Sequence, residues 1–490
     1  MRTAVRAAFL AVLLAAFASA PVVATFAKSP DRLAPSIEAI LKREVFAPAI
    51  VAVDIRDLET GRVLFEKNAT TNVKPASTMK LFTTAAILDA EGRIQALPAT
   101  TVETAGRLDS LGRVLGDVYL VGRGDPNLSD RFEWRGEKSP FDQLAKDIKD
   151  AGITRIEGRL IGYDGLFTDE TIPDGWTADD LVWSYGAEVS ALSAFDNSLE
   201  LRLEPGEREG DPARLMVQPG TEFMRIESRV ATSAEGTKAR ISLTRPLGSR
   251  HVVIEGSVPR LGEAWTGAVA APEPTLFATT LFAEALVRHG VTLRDGVVAL
   301  RDALPKELRP LASVRGPAVA EQIRVVNKDS QNLHAETLLR RLGLAAFKDG
   351  SVEASLKARE AFLKGQGVRI ADTAMYDGSG LSRGDLVTAR AEVDLLVAMA
   401  RHPLARAFRD SLPVAGVDGT LKRRMVGTKA QGRVFAKTGS LSHVNALAGY
   451  VDAISGRRFA FSIIVNHHTR PSKEATAAMD EICALLVDLK

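Results

Sequence analysis

The sequence predicts a mixed α/β (α+β) fold, with one sheet assembled from both ends of the chain and β-rich domains inserted between them. Three observations carry that expectation. Each end of the 490-residue chain places a strand–turn–strand pattern beside a helical one. The central text is strand-like, with glycine and proline punctuating short alternating runs. Three short polar motifs, each occurring once, are unevenly spread: Ser77-Thr78-Met79-Lys80, Ser330-Gln331-Asn332 and Lys437-Thr438-Gly439. More than half the chain separates the first two, while the third follows soon after. If the three meet, most of the intervening chain must loop out and return.

Arg2 and Arg6 precede an apolar stretch from Ala7 to Phe17, then Ala18-Ser19-Ala20, the layout of a secretory signal. Pro21 hinders a cut after Ala20, so residues 1–24 are read as the signal peptide, with Ala27 the latest cut. The stretch is shorter than the ~20 residues of a membrane span, and the mature protein is expected to carry none. Pro35 to Arg43 reads as a short helix. Ile50 to Ile55 and Arg62 to Phe65 form a hairpin around Glu59-Thr60-Gly61. The Ser77 motif opens a helix to about Asp89, ended by Gly92.

From Thr101 to Pro310 the runs are short and alternating, as in Val114 to Val121, Ile241 to Arg245 and His251 to Val258. Ile323 to Val326 reads as a strand passing into a helix from Leu333 to Arg340, with Ser330 as a natural helix cap. Arg433 to Phe435 is a strand that Lys437 continues. Ala446 to Asp452 and Arg458 to Val465 make a second hairpin turning at Ser455-Gly456, and Pro471 precedes a last helix from Lys473 to Leu489. Residues 28–95 and 318–490 are thus assigned to one domain. Residues 96–317 are inserted, as two subdomains of about 96–175 with 268–317, and 176–267.

A net charge of +2 gives no reason to expect nucleic acid as a partner. The single cysteine, Cys483, excludes an intrachain disulfide and any cysteine-based metal site. His467-His468 lacks carboxylate or cysteine ligands at suitable spacing, so no metal and no cofactor are expected.

The motifs suit acyl transfer through a serine ester, and their order is that of the serine enzymes acylated by penicillin. Residues three apart share a helix face, so Ser77 and Lys80 meet if a helix starts there. A serine hydroxyl is a weak nucleophile until a base takes its proton. Lys80 is that base if burial and a second cation, Lys437, lower its pKa. Ser330 can pass the proton to a leaving amine, and the Asn332 amide can hold a peptide bond. Lys437 and Thr438 suit a substrate carboxylate. Gly439 leaves room for a substrate along the strand edge, and the Ser440 amide joins that of Ser77 as an oxyanion donor.

Beyond the motifs, several segments resemble the low-molecular-mass, type-4 penicillin-binding proteins, the D-alanyl-D-alanine carboxypeptidase/endopeptidases. They are Pro75 to Thr84, Gly124 to Leu128, Tyr185 to Ser193, Tyr376 to Arg383 and Val444 to Tyr450. The resemblance implies the three-layer transpeptidase domain of serine β-lactamases and DD-peptidases, with the insertion between the first and second motifs as a family trait. It implies Ser77 as nucleophile, Lys80 as base and Ser330 as relay. Asn332, Lys437, Thr438, Gly439 and Ser440 then bind substrate. His334 and His443 stand where tyrosine and glycine are expected, at the border of the cleft.

The expectation is a periplasmic serine D-Ala-D-Ala carboxypeptidase acting on peptidoglycan stem peptides, with cross-links as a second, endopeptidase substrate. β-Lactam antibiotics are expected as covalent inhibitors. A β-lactamase is a second reading, disfavoured by the large insertion. A non-catalytic wall-binding scaffold is a third, disfavoured by the intact motif set.

Overall fold

The computed structural model describes residues 30–490; the expected signal segment lies outside them. One antiparallel sheet is built from both ends of the chain. Its strands are β1 (Ile50–Asp57), β2 (Val63–Lys67), β3 (Val434–Leu441), β4 (Val444–Asp452) and β5 (Arg458–Asn466), in the spatial order β3-β4-β5-β1-β2. The seam between the two chain ends is the β1–β5 pair, in register from Ile50 against Asn466 to Asp57 against Phe459.

The helices around this sheet include α1 (Pro30–Leu41), α2 (Met79–Asp89), α3 (Val319–Lys328), α4 (Asn332–Phe347), α5 (Ala389–Arg401) and α6 (Ser472–Val487). Strand side chains alternate between faces. Val51, Val53, Ile55, Phe461 and Ile463 pack on one side with Leu33 and Ile37 of α1 and Ile482 and Leu486 of α6. Ala52, Ala446, Ala448 and Ala460 point the other way, where their small side chains admit a layer that includes α2 and α5. Three layers result. In the middle of the second helical layer, α2 is buried from Met79 through Leu88 on every side, the mark of a core helix rather than a surface one.

Several expectations are corrected. Helix α1 starts at Pro30 and carries Pro35 inside it, because Leu33, Ile37 and Ile40 form one buried stripe across the proline. Ile323 to Val326 is not a strand but part of α3, since Val319, Ile323 and Val326 recur at helical spacing on a buried face. Gly92 does not stop the chain's helical course: after Ala90 a short helix, Glu91–Gln95, buries Ile94. The run Val114 to Val121 breaks at Gly116 into two strands of different sheets.

In the insertion, strand Thr100–Thr104 pairs with Arg309–Val314, so the outgoing and returning chain lie side by side. Val118–Val121, Leu160–Tyr163 and Val297–Leu300 extend that sheet. Two three-stranded sheets are built from the strands between Ser198 and Ala270. Helices Pro140–Asp150 and Pro274–Arg288 pack against each other beside them. Ser139 caps the first by accepting from the Asp142 amide, and Pro140 fits its first helical position. Among the described residues, no helix is long and apolar enough to cross a membrane.

Cys483 lies on α6 with its side chain fully buried, and burial pushes its thiol well above the ordinary range. A thiolate is the reactive form. The native protein should therefore resist a disulfide reagent such as dithionitrobenzoate, and labelling should appear only as denaturant unfolds the chain; rapid native labelling would contradict this core placement.

Candidate active site

After β2 the chain enters a tight turn, Ala76–Thr78, before α2 begins at Met79. Ala76 takes a left-handed φ of 50°, strain on the order of 1 kcal/mol for a residue with a side chain. Two glycines clamp the turn. A Cβ on Gly439 would stand 2.6 Å from the Pro75 carbonyl oxygen, and one on Gly380 would stand 1.8 Å from that of Ala76. Gly439 is thus glycine because the serine turn lies against β3, a reason that sequence reasoning missed.

Lys80, the second residue of α2, is fully buried. Its ammonium donates to Ser77 Oγ at 2.9 Å, Asn332 Oδ1 at 2.6 Å and the Ser379 carbonyl at 2.7 Å, which uses all three N–H groups. Burial lowers its pKa to about 8, against Asp377, Glu336 and Asp385, which raise it. Lys437 is therefore not what lowers Lys80; the repulsion falls on Lys437 itself. That buried ammonium is pushed well below its ordinary range, by burial first and Lys80 second.

Ser330 is the joint between α3 and α4, in a left-handed conformation with φ 61°. It does not cap α4. Gln331 does, its side-chain oxygen accepting from the Leu333 amide at 3.2 Å. Ser330 Oγ instead accepts from Lys437 Nζ at 2.8 Å, and Lys437 also donates to the Thr438 carbonyl at 2.9 Å. Asn332 donates its Nδ2 to the Tyr185 carbonyl of the insertion at 2.7 Å, so with Lys80 on Oδ1 the amide orients the lysine. Thr438 donates its hydroxyl to Thr420 Oγ at 2.7 Å. Ser440, on β3 two residues before the turn, is exposed. The structure therefore brings the first two motifs together on Lys80 and the second and third on Lys437.

The loop from Tyr376 to Asp385 is the part not assigned a role from the motifs. Asp377 is buried and accepts from the amides of Ser379 (3.1 Å), Gly380 (2.6 Å) and Ser382 (2.8 Å), and from Trp176 Nε1 (3.0 Å). The loop is wound around this carboxylate, and that winding presents the Ser379 carbonyl to Lys80. Burial raises the Asp385 carboxyl and the charge of Asp377 raises it further, while Asp377 falls below the ordinary range under the donors around it. Glu336 on α4 accepts from the Gly378 amide, and burial lifts it to about 7.

The two histidines do not both border the cleft. His334 has no exposed surface and lies with Nε2 2.8 Å from Asp196 Oδ1 of the insertion. His443 is exposed on the β3–β4 turn, with Nδ1 2.9 Å from the His468 carbonyl.

A family model described as the D-Ala-D-Ala carboxypeptidase 3 (S13) family matches residues 33–486. The chain is 35% identical over 466 residues to the D-alanyl-D-alanine carboxypeptidase of Actinomadura sp. (strain R39), spanning 92% of this chain and 84% of that protein. It is 25% identical over 428 residues to the D-alanyl-D-alanine carboxypeptidase DacB of Haemophilus influenzae, 86% of each. The crystal structure of penicillin binding protein 4 from Haemophilus influenzae superposes with a TM-score of 0.77 at 21% identity, covering 92% of this chain and 98% of that one, and shows the same fold.

Behind the serine turn, Glu392 of α5 is fully buried, its carboxylate 2.5 Å from Thr78 Oγ and 2.6 Å from Ser462 Oγ. Burial raises its pKa from 4.5 to about 7. The folded state then binds more protons than the unfolded chain between those values, so stability falls as pH rises through that window. Glu392→Gln should remove on the order of 3 kcal/mol of that decline. Denaturant unfolding of both proteins from pH 4.5 to 8 checks this; parallel curves would refute it.

Proposed function

Because the chain belongs to the D-Ala-D-Ala carboxypeptidase 3 (S13) family, we propose that this serine-type carboxypeptidase works through an acyl-enzyme on Ser77, in the periplasm, on peptidoglycan stem peptides. The observation that carries the mechanism is the buried Lys80 nitrogen 2.9 Å from Ser77 Oγ. Once neutral, Lys80 keeps two N–H groups on Asn332 and the Ser379 carbonyl, and its lone pair faces the serine proton. Ser77 Oγ then attacks the carbonyl of the penultimate D-alanine. The oxyanion that forms meets the amides of Ser77 and Ser440.

Lys437 and Thr438 take the terminal carboxylate. A bound carboxylate stabilises charge on Lys437, and that charge repels a proton on Lys80. Substrate binding thereby favours the free base it needs. The proton that Lys80 took from Ser77 passes through Ser330, whose oxygen accepts from Lys437, to the departing D-alanine amine, so Lys80 is a free base again. Water then hydrolyses the ester. Cross-linked peptides, with a larger leaving group, are a second substrate class. β-Lactams, whose strained amide mimics the D-Ala–D-Ala bond, acylate the same serine.

Brief exposure to benzylpenicillin should add one intact drug mass to the protein, and none to Ser77→Ala; an unmodified wild-type mass with intact drug would overturn the acyl-serine mechanism. The acylation rate constant at low drug concentration should rise with pH through about 8, as Lys80 loses its proton. Lys80→Arg, which stays charged, should lower it by roughly a thousandfold or more. A rate independent of pH from 6 to 9 would exclude Lys80 as the base.

A further inference from the structure

The second motif is held from the insertion. Asp196 lies on Phe195–Asn197, three successive residues with left-handed φ of 48°, 55° and 47°. Such backbone persists only where the surroundings over-determine it. Here the Phe195 amide donates to the Leu128 carbonyl, and the Asn197 side chain bridges the Ala194 amide and the Glu188 carbonyl. The result is one carboxylate aimed at the start of α4. Its Oδ2 accepts from Gln331 Nε2 at 2.7 Å, and its Oδ1 lies 2.8 Å from His334 Nε2. Arg131 of the insertion closes a fork on the same carboxylate at 3.2 and 2.8 Å.

Gln331 sits between Ser330 and Asn332. Its side chain is fixed at both ends, its oxygen on the Leu333 amide and its nitrogen on Asp196. Ser330 keeps its own left-handed φ only while its neighbour cannot pivot. His334, further along the first turn of α4, presents Nε2 to the same carboxylate, so two points of the helix start are pinned to one anion.

We propose that Asp196 is a positioning residue for the second motif, fixing Ser330 and Asn332 through Gln331 and His334, so that the insertion is a working part of the active site. This rests on the acyl-serine reading above. The Asp196 carboxylate makes its hydrogen bonds with Gln331, His334 and Arg131, and none with Ser77, Lys437 or Thr438. Its loss should therefore slow acylation at saturating drug rather than weaken drug binding.

The test separates these two constants for benzylpenicillin by stopped-flow with folded, full-length protein. Asp196→Asn leaves one acceptor oxygen for the Gln331 and Arg131 donors and adds an N–H among them, and Gln331→Glu presents a carboxylate to a carboxylate. Each should lower the saturating acylation rate roughly 10- to 100-fold, with the binding constant changed less than about threefold. Combining Asp196→Asn with Gln331→Glu restores a donor–acceptor pair with its polarity reversed. The new carboxylate still accepts from the Leu333 amide, and it now also accepts from the new side-chain amide across the joint. The double variant should regain most of the lost rate, which a merely destabilised fold would not do. Should Asp196→Asn fail to fold, recovery of the double variant over Gln331→Glu alone still decides. Single variants within twofold of wild type, or a double variant no faster than Gln331→Glu, would overturn the proposal. A wild-type protein that is not acylated would instead count against the acyl-serine reading.

Discussion

Burying the Lys80 ammonium takes a charge out of water, a loss of several kcal/mol unless every N–H finds an acceptor. Three acceptors come from three separate parts of the chain: Ser77 from the turn that leads into its own helix, Asn332 from the α3–α4 joint, and the Ser379 carbonyl from a loop. Much of the catalytic domain serves this convergence. The sheet places β3 against the serine turn, the insertion supplies the Tyr185 carbonyl that orients Asn332, and Asp377 winds the loop that offers Ser379. Removing any one support leaves a buried donor unpaired, so the site is cooperative by construction.

The sheet from both chain ends and the meeting of the three motifs were legible because each had a local signature. The hairpins carried alternation and turn residues, and Ser77, Lys80, Ser330, Asn332, Lys437 and Thr438 lay in ordered motifs. What escaped had no signature of its own. The Ser379 oxygen is a backbone group that any residue could supply. Gln331 replaced Ser330 as the helix cap because the serine backbone is left-handed, which one sequence does not reveal. Ile323 to Val326 is too short and too β-branched to distinguish strand from helix without Val319 beside it. His334 was expected at the cleft border from the family pattern, yet its side chain is buried against Asp196 of the insertion.

The insertion meets the second motif through two chemically different bonds. The Tyr185 carbonyl that holds Asn332 is a backbone group that any residue at that position provides, whereas the Asp196 carboxylate needs an acid there. The first interaction is insensitive to substitution and the second is not. Arg131 and His334 both face Asp196, and together they hold it well below the ordinary carboxylate range despite its burial. A carboxylate held down in this way is an anion near neutral pH, which makes it a steady anchor rather than a switch there.

The carboxyl groups behind Lys80 decide whether it can act as a base at all. Asp377, Asp385 and Glu336 each pull its pKa upward. Three full negative charges would keep the ammonium protonated. Burial, with the Asp377 charge second, pushes Asp385 well above the ordinary carboxylate range and so favours its neutral form. Glu336, lifted to about 7 by burial, is only partly ionised near neutrality. Arg359, fully buried, donates to the Asp377 carbonyl at 2.6 Å and brings a cation beside the same loop. With Asp385 and Glu336 both raised toward their neutral forms, burial prevails over the carboxylates at Lys80. A base of about 8 follows from that balance: the motif supplies the lysine, and residues hundreds of positions away tune it.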